Sequence, residues 1–167
     1  MFEKKTTLIL GLGNLLLRDE GFGVHVTQRL KTCDLPSDVK VVEGGVGGYN
    51  LLGYFKGVER LLVVDAMMTK SEPGELVLFQ PGPSLRDNGQ NALSFHQIGI
   101  LELLQMWKLL GQEPEVFFLV TRPEILEPGL TLSTRLQKSV EPAVQLILKL
   151  CHNRFTGLER STELCTL

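Results

Sequence analysis

The sequence has no long apolar run, few cysteines, few histidines and no excess charge, and each shortage removes a class of protein. No apolar stretch reaches the roughly 18 residues that a membrane span requires, so no membrane partner is expected. Lysine and arginine total 17 against 19 aspartate and glutamate, for a net charge of −2. Without a basic patch to neutralise phosphates, nucleic acid is an unsuitable partner. Cys33, Cys151 and Cys165 are too few and too widely spaced for a disulfide framework or a zinc knuckle; three free thiols are expected. Cys151 adjoins His152, but neighbouring residues on a helix project in different directions and seldom act on one atom. Met1-Phe2-Glu3-Lys4-Lys5 leads straight into a short apolar run, without a signal peptide's h-region and cleavage site. A cytoplasmic monomer is the expectation.

What is present is ordinary globular material: 167 residues, 43% hydrophobic and 22% charged, enough for one domain with a real core. Apolar runs bounded by glycine, proline and polar clusters alternate with segments of helical period. Thr7–Leu12, Val39–Glu43, Arg60–Asp65, Glu75–Phe79 and Glu115–Thr121 read as strands. Glu20–Leu30, a short Asn50–Lys56 segment, His96–Leu110 and Ser133–Leu150 read as helices, with Gly111 as a stop and Ser133 as an N-cap. Arg60–Asp65 is apolar almost throughout, as expected of a strand covered on both faces. The alternation specifies an α/β fold, a three-layer sandwich around a mainly parallel, five-stranded twisted sheet. Residues 1–152 make a single domain on this reading. The polar, non-periodic residues 153–167 read as a flexible C-terminal tail.

Open parallel sheets form their sites at the carboxyl ends of the strands. Gly11-Leu12-Gly13-Asn14, Glu43-Gly44-Gly45, Asp65 and Thr121-Arg122-Pro123-Glu124 all fall on that rim. A dinucleotide does not suit it. The third glycine of the fingerprint is replaced by Leu16, and Asp19 and Glu20 at the helix start would repel a pyrophosphate. No Gly-Lys-Ser/Thr occurs, so the Walker pattern is also absent. The same carboxylates suit a cation, although acidic residues favour first turns in any case. Asp65 at the end of an apolar strand is costly if buried without a partner; a turn-capping role through the N–H groups of Met67 or Met68 is the alternative. Of the three histidines, His25 lies within the first helix, His152 beside the tail, and His96 at the start of the long helix. A lone histidine there is commonly structural or solvated. Glu20, Asp65 and His96 together would offer two oxygens and one imidazole nitrogen with open positions. Such a set suits a first-row divalent metal held in part by another molecule.

Leu10-Gly11-Leu12-Gly13-Asn14 through Arg18-Asp19-Glu20-Gly21-Phe22-Gly23 closely resembles the N-terminal signature of the hydrogenase maturation endopeptidases. Val63-Val64-Asp65-Ala66, Ser94-Phe95-His96-Gln97-Ile98-Gly99 and the Arg122-Pro123-Glu124 to Leu132-Ser133 stretch resemble further segments of that family, in the same order. The resemblance runs from about Thr6 to Leu150. It implies an aspartyl-type endopeptidase activity that removes the C-terminal extension of the nickel–iron hydrogenase large-subunit precursor after nickel insertion. It also implies that Glu20, Asp65 and His96 are both catalytic and metal-contacting. Nickel would arrive bound to the substrate, and no organic cofactor is implied. One segment departs: the family's Asp-Gly-Gly-Thr is Glu43-Gly44-Gly45-Val46 here, which bears on which hydrogenase is the partner. No His-Glu-x-x-His occurs, so a resident zinc of the usual metalloprotease kind is not expected. Asp19 or Glu43 is expected as outer support. Two rivals use the same rim: a non-cleaving nickel-dependent maturation chaperone or checkpoint, and a small-molecule hydrolase.

Overall fold

A computed structural model describes residues 6–82 and 95–156, with the backbone alone for 95–98. Five strands among these residues, β1 (Thr7–Leu12), β2 (Val39–Gly45), β3 (Arg60–Ala66), β4 (Leu76–Phe79) and β5 (Glu115–Thr121), form one sheet in the order β2-β1-β3-β5-β4. All pairings are parallel except β4 with β5. The exception has a simple cause. Between β3 and β4 the chain makes turns but no helix, so nothing returns it to the amino edge. β4 therefore starts at the carboxyl edge and runs back down against β5.

Among the described residues, three α-helices, α1 (Phe22–Leu30), α2 (Phe95–Leu109) and α3 (Thr134–His152), cover the sheet. On one face, Phe22, Val26 and Leu30 of α1 and Leu136, Ala143 and Ile147 of α3 pack on Ile9, Leu62, Val64 and Leu119. On the other, Ile100, Leu103 and Trp107 of α2 pack with Leu51 and Phe55 on Leu8, Leu10, Leu61 and Val63. The central strands β1 and β3 are thus buried on both faces, which their unbroken apolar runs require. Each fully buried leucine, isoleucine or phenylalanine contributes about 1.5–3 kcal/mol. This is the α/β sandwich that the alternation of patterns specified.

Three local differences follow from tertiary contacts. The helix expected from Glu20 starts at Phe22, and Arg18–Gly21 forms a separate 3-10 turn. The short Asn50–Lys56 helix is also a 3-10 element, Tyr49–Tyr54. Beyond α3, residues 153–156 turn Phe155 back onto the core. Its ring lies 5.0 Å from that of Phe117, with the Arg60 guanidinium carbon 4.7 Å above it. The packed unit therefore continues past residue 152, while residues 157–167 of the expected tail lie outside those described. Ser133 does cap α3, accepting from the Leu136 N–H at 3.5 Å. Among the described residues, no helix is long and apolar enough to cross a membrane.

Candidate active site

The chain leaves β1 toward β2 on one side and reaches β3 on the other. This makes the crevice between the carboxyl ends of β1 and β3 the topological switch point, where such sheets bind ligands. Two glycines bring the start of α1 hard against that crevice. A Cβ on Gly23 would collide with the carbonyl oxygens of Val64 in β3 and Leu12 in β1. Gly13, at φ +128°, adopts a backbone that favours glycine, and a Cβ there would strike the Glu20 carbonyl. The close helix–strand approach that Leu16 denies to a dinucleotide fingerprint is supplied instead by Gly23, seven residues further on. It serves packing rather than phosphate binding.

The paired acids of the 3-10 turn have separate fates. Asp19 is fully buried. Its Oδ2 accepts from the backbone N–H groups of Glu124 at 2.9 Å and Ile125 at 2.8 Å, and its Oδ1 from Ser133 at 2.6 Å. Glu20 stays half-buried on the turn, which packs against β3.

Asp65 is fully buried. It continues the Leu61–Val63 row on the α2 face of β3, beside Val120 of β5. Its Oδ1 accepts from the Ala66 N–H at 2.8 Å, a local bond to the next residue. The third sequence candidate stands at the start of α2. Trp107, near the far end of that helix, packs edge-on against Phe55 just before β3 begins. Gly111, at φ +74°, then leads into β5 at the amino edge. A helix of 15 residues is about 22 Å long, so its first turn, carrying His96, reaches back toward the carboxyl edge on the Asp65 face. The His96 side chain itself lies outside the described residues. No cluster of three or more metal-ligating side chains occurs among those described.

The other titratable candidates are engaged elsewhere. Glu43 sits on the α1 side of β2, where its carboxylate takes Lys31 Nζ at 2.6 Å and Gln28 Nε2 at 3.2 Å. The Lys31 hydrogen bond holds it below the usual carboxylate range. Lys31 and Gln28 thus hold Glu43 on the α1 side of β2, whereas the segment after β5 holds Asp19. On α1, burial lowers the pKa of His25, and its Nε2 has no hydrogen-bond partner among the described residues. A depression of about 570 Å³ lined by Val58, Glu59, Pro114 and Glu115 lies at the amino edge, away from the switch point.

Sequence reasoning did not anticipate the segment after β5 as a partner of the β1 exit. The Gly129 N–H donates to Leu16 O at 2.9 Å, Arg18 N–H to Gly129 O at 3.0 Å, and Arg18 Nε to Thr131 O at 3.1 Å. The available signal was the Pro123-Glu124 to Leu132-Ser133 stretch, dense in turn residues yet part of the family resemblance.

Comparison with known proteins agrees with this architecture. The sequence model of the hydrogenase maturation protease family matches residues 24–150. The hydrogenase 2 maturation protease of Escherichia coli K12 is 34% identical over 146 residues, covering 84% of this chain and 87% of the relative. The hydrogenase expression/formation protein HupD of Bradyrhizobium diazoefficiens is 34% identical over 142 residues, covering 83% and 74%. Among solved structures, the hydrogenase maturating endopeptidase HybD from E. coli superposes with a TM-score of 0.78 at 31% identity, covering 92% of this chain and 94% of that one. The NiFe hydrogenase maturation protease HybD from Thermococcus kodakarensis gives 0.73 at 27% identity, covering 87% and 98%. A glycine-packed switch point, a turn with one buried and one half-exposed acid, and this breadth of similarity lead to one assignment: the chain belongs to the hydrogenase maturation protease family and is an endopeptidase, a peptide hydrolase of hydrogenase maturation.

Proposed function

We propose that this endopeptidase removes the C-terminal extension of a nickel–iron hydrogenase large-subunit precursor once nickel has been inserted, and that Glu20, Asp65 and His96 dock the substrate's nickel. The observation that carries the reading is Asp65, a fully buried carboxylate at the end of an apolar strand and at the switch point of the sheet. A buried titratable group at the carboxyl edge of such a sheet is what functional sites are built from. The Glu20 turn packs on the same strand, and α2 starts on the Asp65 face, which supports a shared site. Related proteins named for hydrogenase maturation and for NiFe hydrogenase support the substrate class.

In this scheme the nickel belongs to the substrate. Two carboxylates and an imidazole complete the surroundings of an ion that the precursor already holds, which suits a first-row divalent metal. Docking fixes the scissile peptide relative to the acids, and the ion is available to polarise its carbonyl. Water is the nucleophile, with Glu20 or Asp65 as the base that takes its proton, an aspartyl-type use of carboxylates. No organic cofactor takes part. The enzyme works on its precursor as a cytoplasmic monomer.

The test is mass spectrometry of purified precursor, nickel-loaded or nickel-free, incubated with this protein. Shortening of the nickel-loaded form alone is expected. Asp65→Ala should remain folded and trim at least about a hundredfold more slowly. Binding of the nickel-loaded precursor without shortening would instead identify a checkpoint protein, and normal trimming by Asp65→Ala would overturn the scheme.

A further inference from the structure

Asp19 is a fully buried and thoroughly engaged acid, yet the proposed chemistry gives it nothing to do. Its oxygens collect three backbone N–H groups from a segment more than a hundred residues away, and its own N–H donates to Ile125 O at 3.3 Å. Arg18, in the left-handed region at φ +46°, reinforces the same seam through Gly129 and Thr131. In the strand order β1-β3-β5, a seam that joins the β1 exit to the β5 exit must span the end of β3, where Asp65 sits. On the opposite side, the Glu20 carbonyl rests against Gly13. The backbone of Glu20 is thus held between Gly13 and the Asp19 seam, with little freedom to shift relative to β3.

From this geometry we propose that Asp19 is a positioning residue: by fastening the β5 exit segment to the 3-10 turn, it fixes Glu20 against Asp65 for the cleavage step. The inference rests on the proposed role of those two acids. It differs from a general stabilising role because it demands an effect on turnover in molecules that are fully folded. Reactive geometry tolerates little error, and a displacement of about 1 Å costs on the order of a hundredfold in rate.

The test is steady-state trimming of nickel-loaded precursor by wild type, Asp19→Asn and Arg18→Ala, at a temperature where circular dichroism shows each to be folded. Asparagine keeps one acceptor oxygen but turns an amide N–H₂ toward backbone donors, so the seam loosens. The expected result for Asp19→Asn is a kcat lowered roughly 10- to 100-fold with KM within about twofold of wild type. Arg18→Ala, which loosens the seam from its solvent side, should lower kcat in the same direction by a smaller factor. Wild-type kcat in folded Asp19→Asn overturns the inference, as does a raised KM with unchanged kcat, which would make the segment a substrate contact. If Asp19→Asn does not fold, wild-type kcat in Arg18→Ala overturns it. Absence of trimming by the wild-type protein would instead count against the proposed function, so the two failures are distinguishable.

Discussion

Replacing Gly23 with alanine puts the close packing of α1 on the switch point to a quantitative test. The new methyl would run into the carbonyl oxygens of Val64 and Leu12 and come within 2.8 Å of the Leu12 nitrogen. Those obstacles are backbone atoms of the two central strands, fixed by ladder hydrogen bonds on both sides, so α1 must lift instead. Lifting it loosens Phe22, Val26 and Leu30, each fully buried. Overpacking of this kind costs up to about 3 kcal/mol, and the better helix propensity of alanine offsets about 1 kcal/mol. A net loss of about 2 kcal/mol remains, which for a chain of this size lowers Tm by about 4–8 °C. Gly99, in α2, is the control, since nothing described lies within 4 Å of a Cβ there. Gly99→Ala should raise stability by about 0.4–1 kcal/mol. Thermal unfolding followed by circular dichroism reads both. A Gly23→Ala protein that melts at or above the wild-type temperature would refute the packing argument, and with it the tight apposition of α1 and β3 on which the site depends.

The pH response of stability should carry a signature of His25. Burial lowers its folded pKa below 6.5, so between the two values the unfolded chain binds more protons and stability rises with pH. Its contribution is lost as pH falls from about 6.5 toward the lower folded value, and His25→Asn should flatten that slope in chemical denaturation; an unchanged slope would contradict the assignment. The thiols should differ in reactivity: burial raises the Cys151 pKa to about 11, whereas Cys33 is half-buried. In a Cys165→Ser background, mass spectrometry after brief alkylation of the native protein should find Cys33 modified well before Cys151, and the reverse order would count against the buried position of Cys151.

Sheet composition was legible because it depends on patterns that a strand or helix carries within itself. Thr7–Leu12 and Glu115–Thr121 are apolar runs with clear boundaries, and the structure keeps those limits. Asp65 was legible as well, because a carboxylate ending an apolar strand stands out against its own neighbours. The carboxyl-edge rule puts it on the rim of the sheet, and the structure has it there, buried near the end of β3. Local patterning leaves Glu20 and Asp19 as a pair, and only the family resemblance singles out Glu20. Nothing in their immediate surroundings distinguishes them, and acidic residues suit a helix start whichever role they have.

The sequence by itself determined the elements, their α/β class and the family. Tertiary structure decided which acid of a pair is buried, which carboxylate is drawn into a surface ion pair with Lys31, and which glycine admits the helix to the strands. The reason lies in the range of the forces. Periodicity and capping act over a few residues and are written locally, whereas the donors that claim Asp19 lie 105 to 114 positions away along the chain. Only folding of the sheet brings those groups within a hydrogen bond of one another, and only then do two adjacent acids become a fastening and a candidate catalyst.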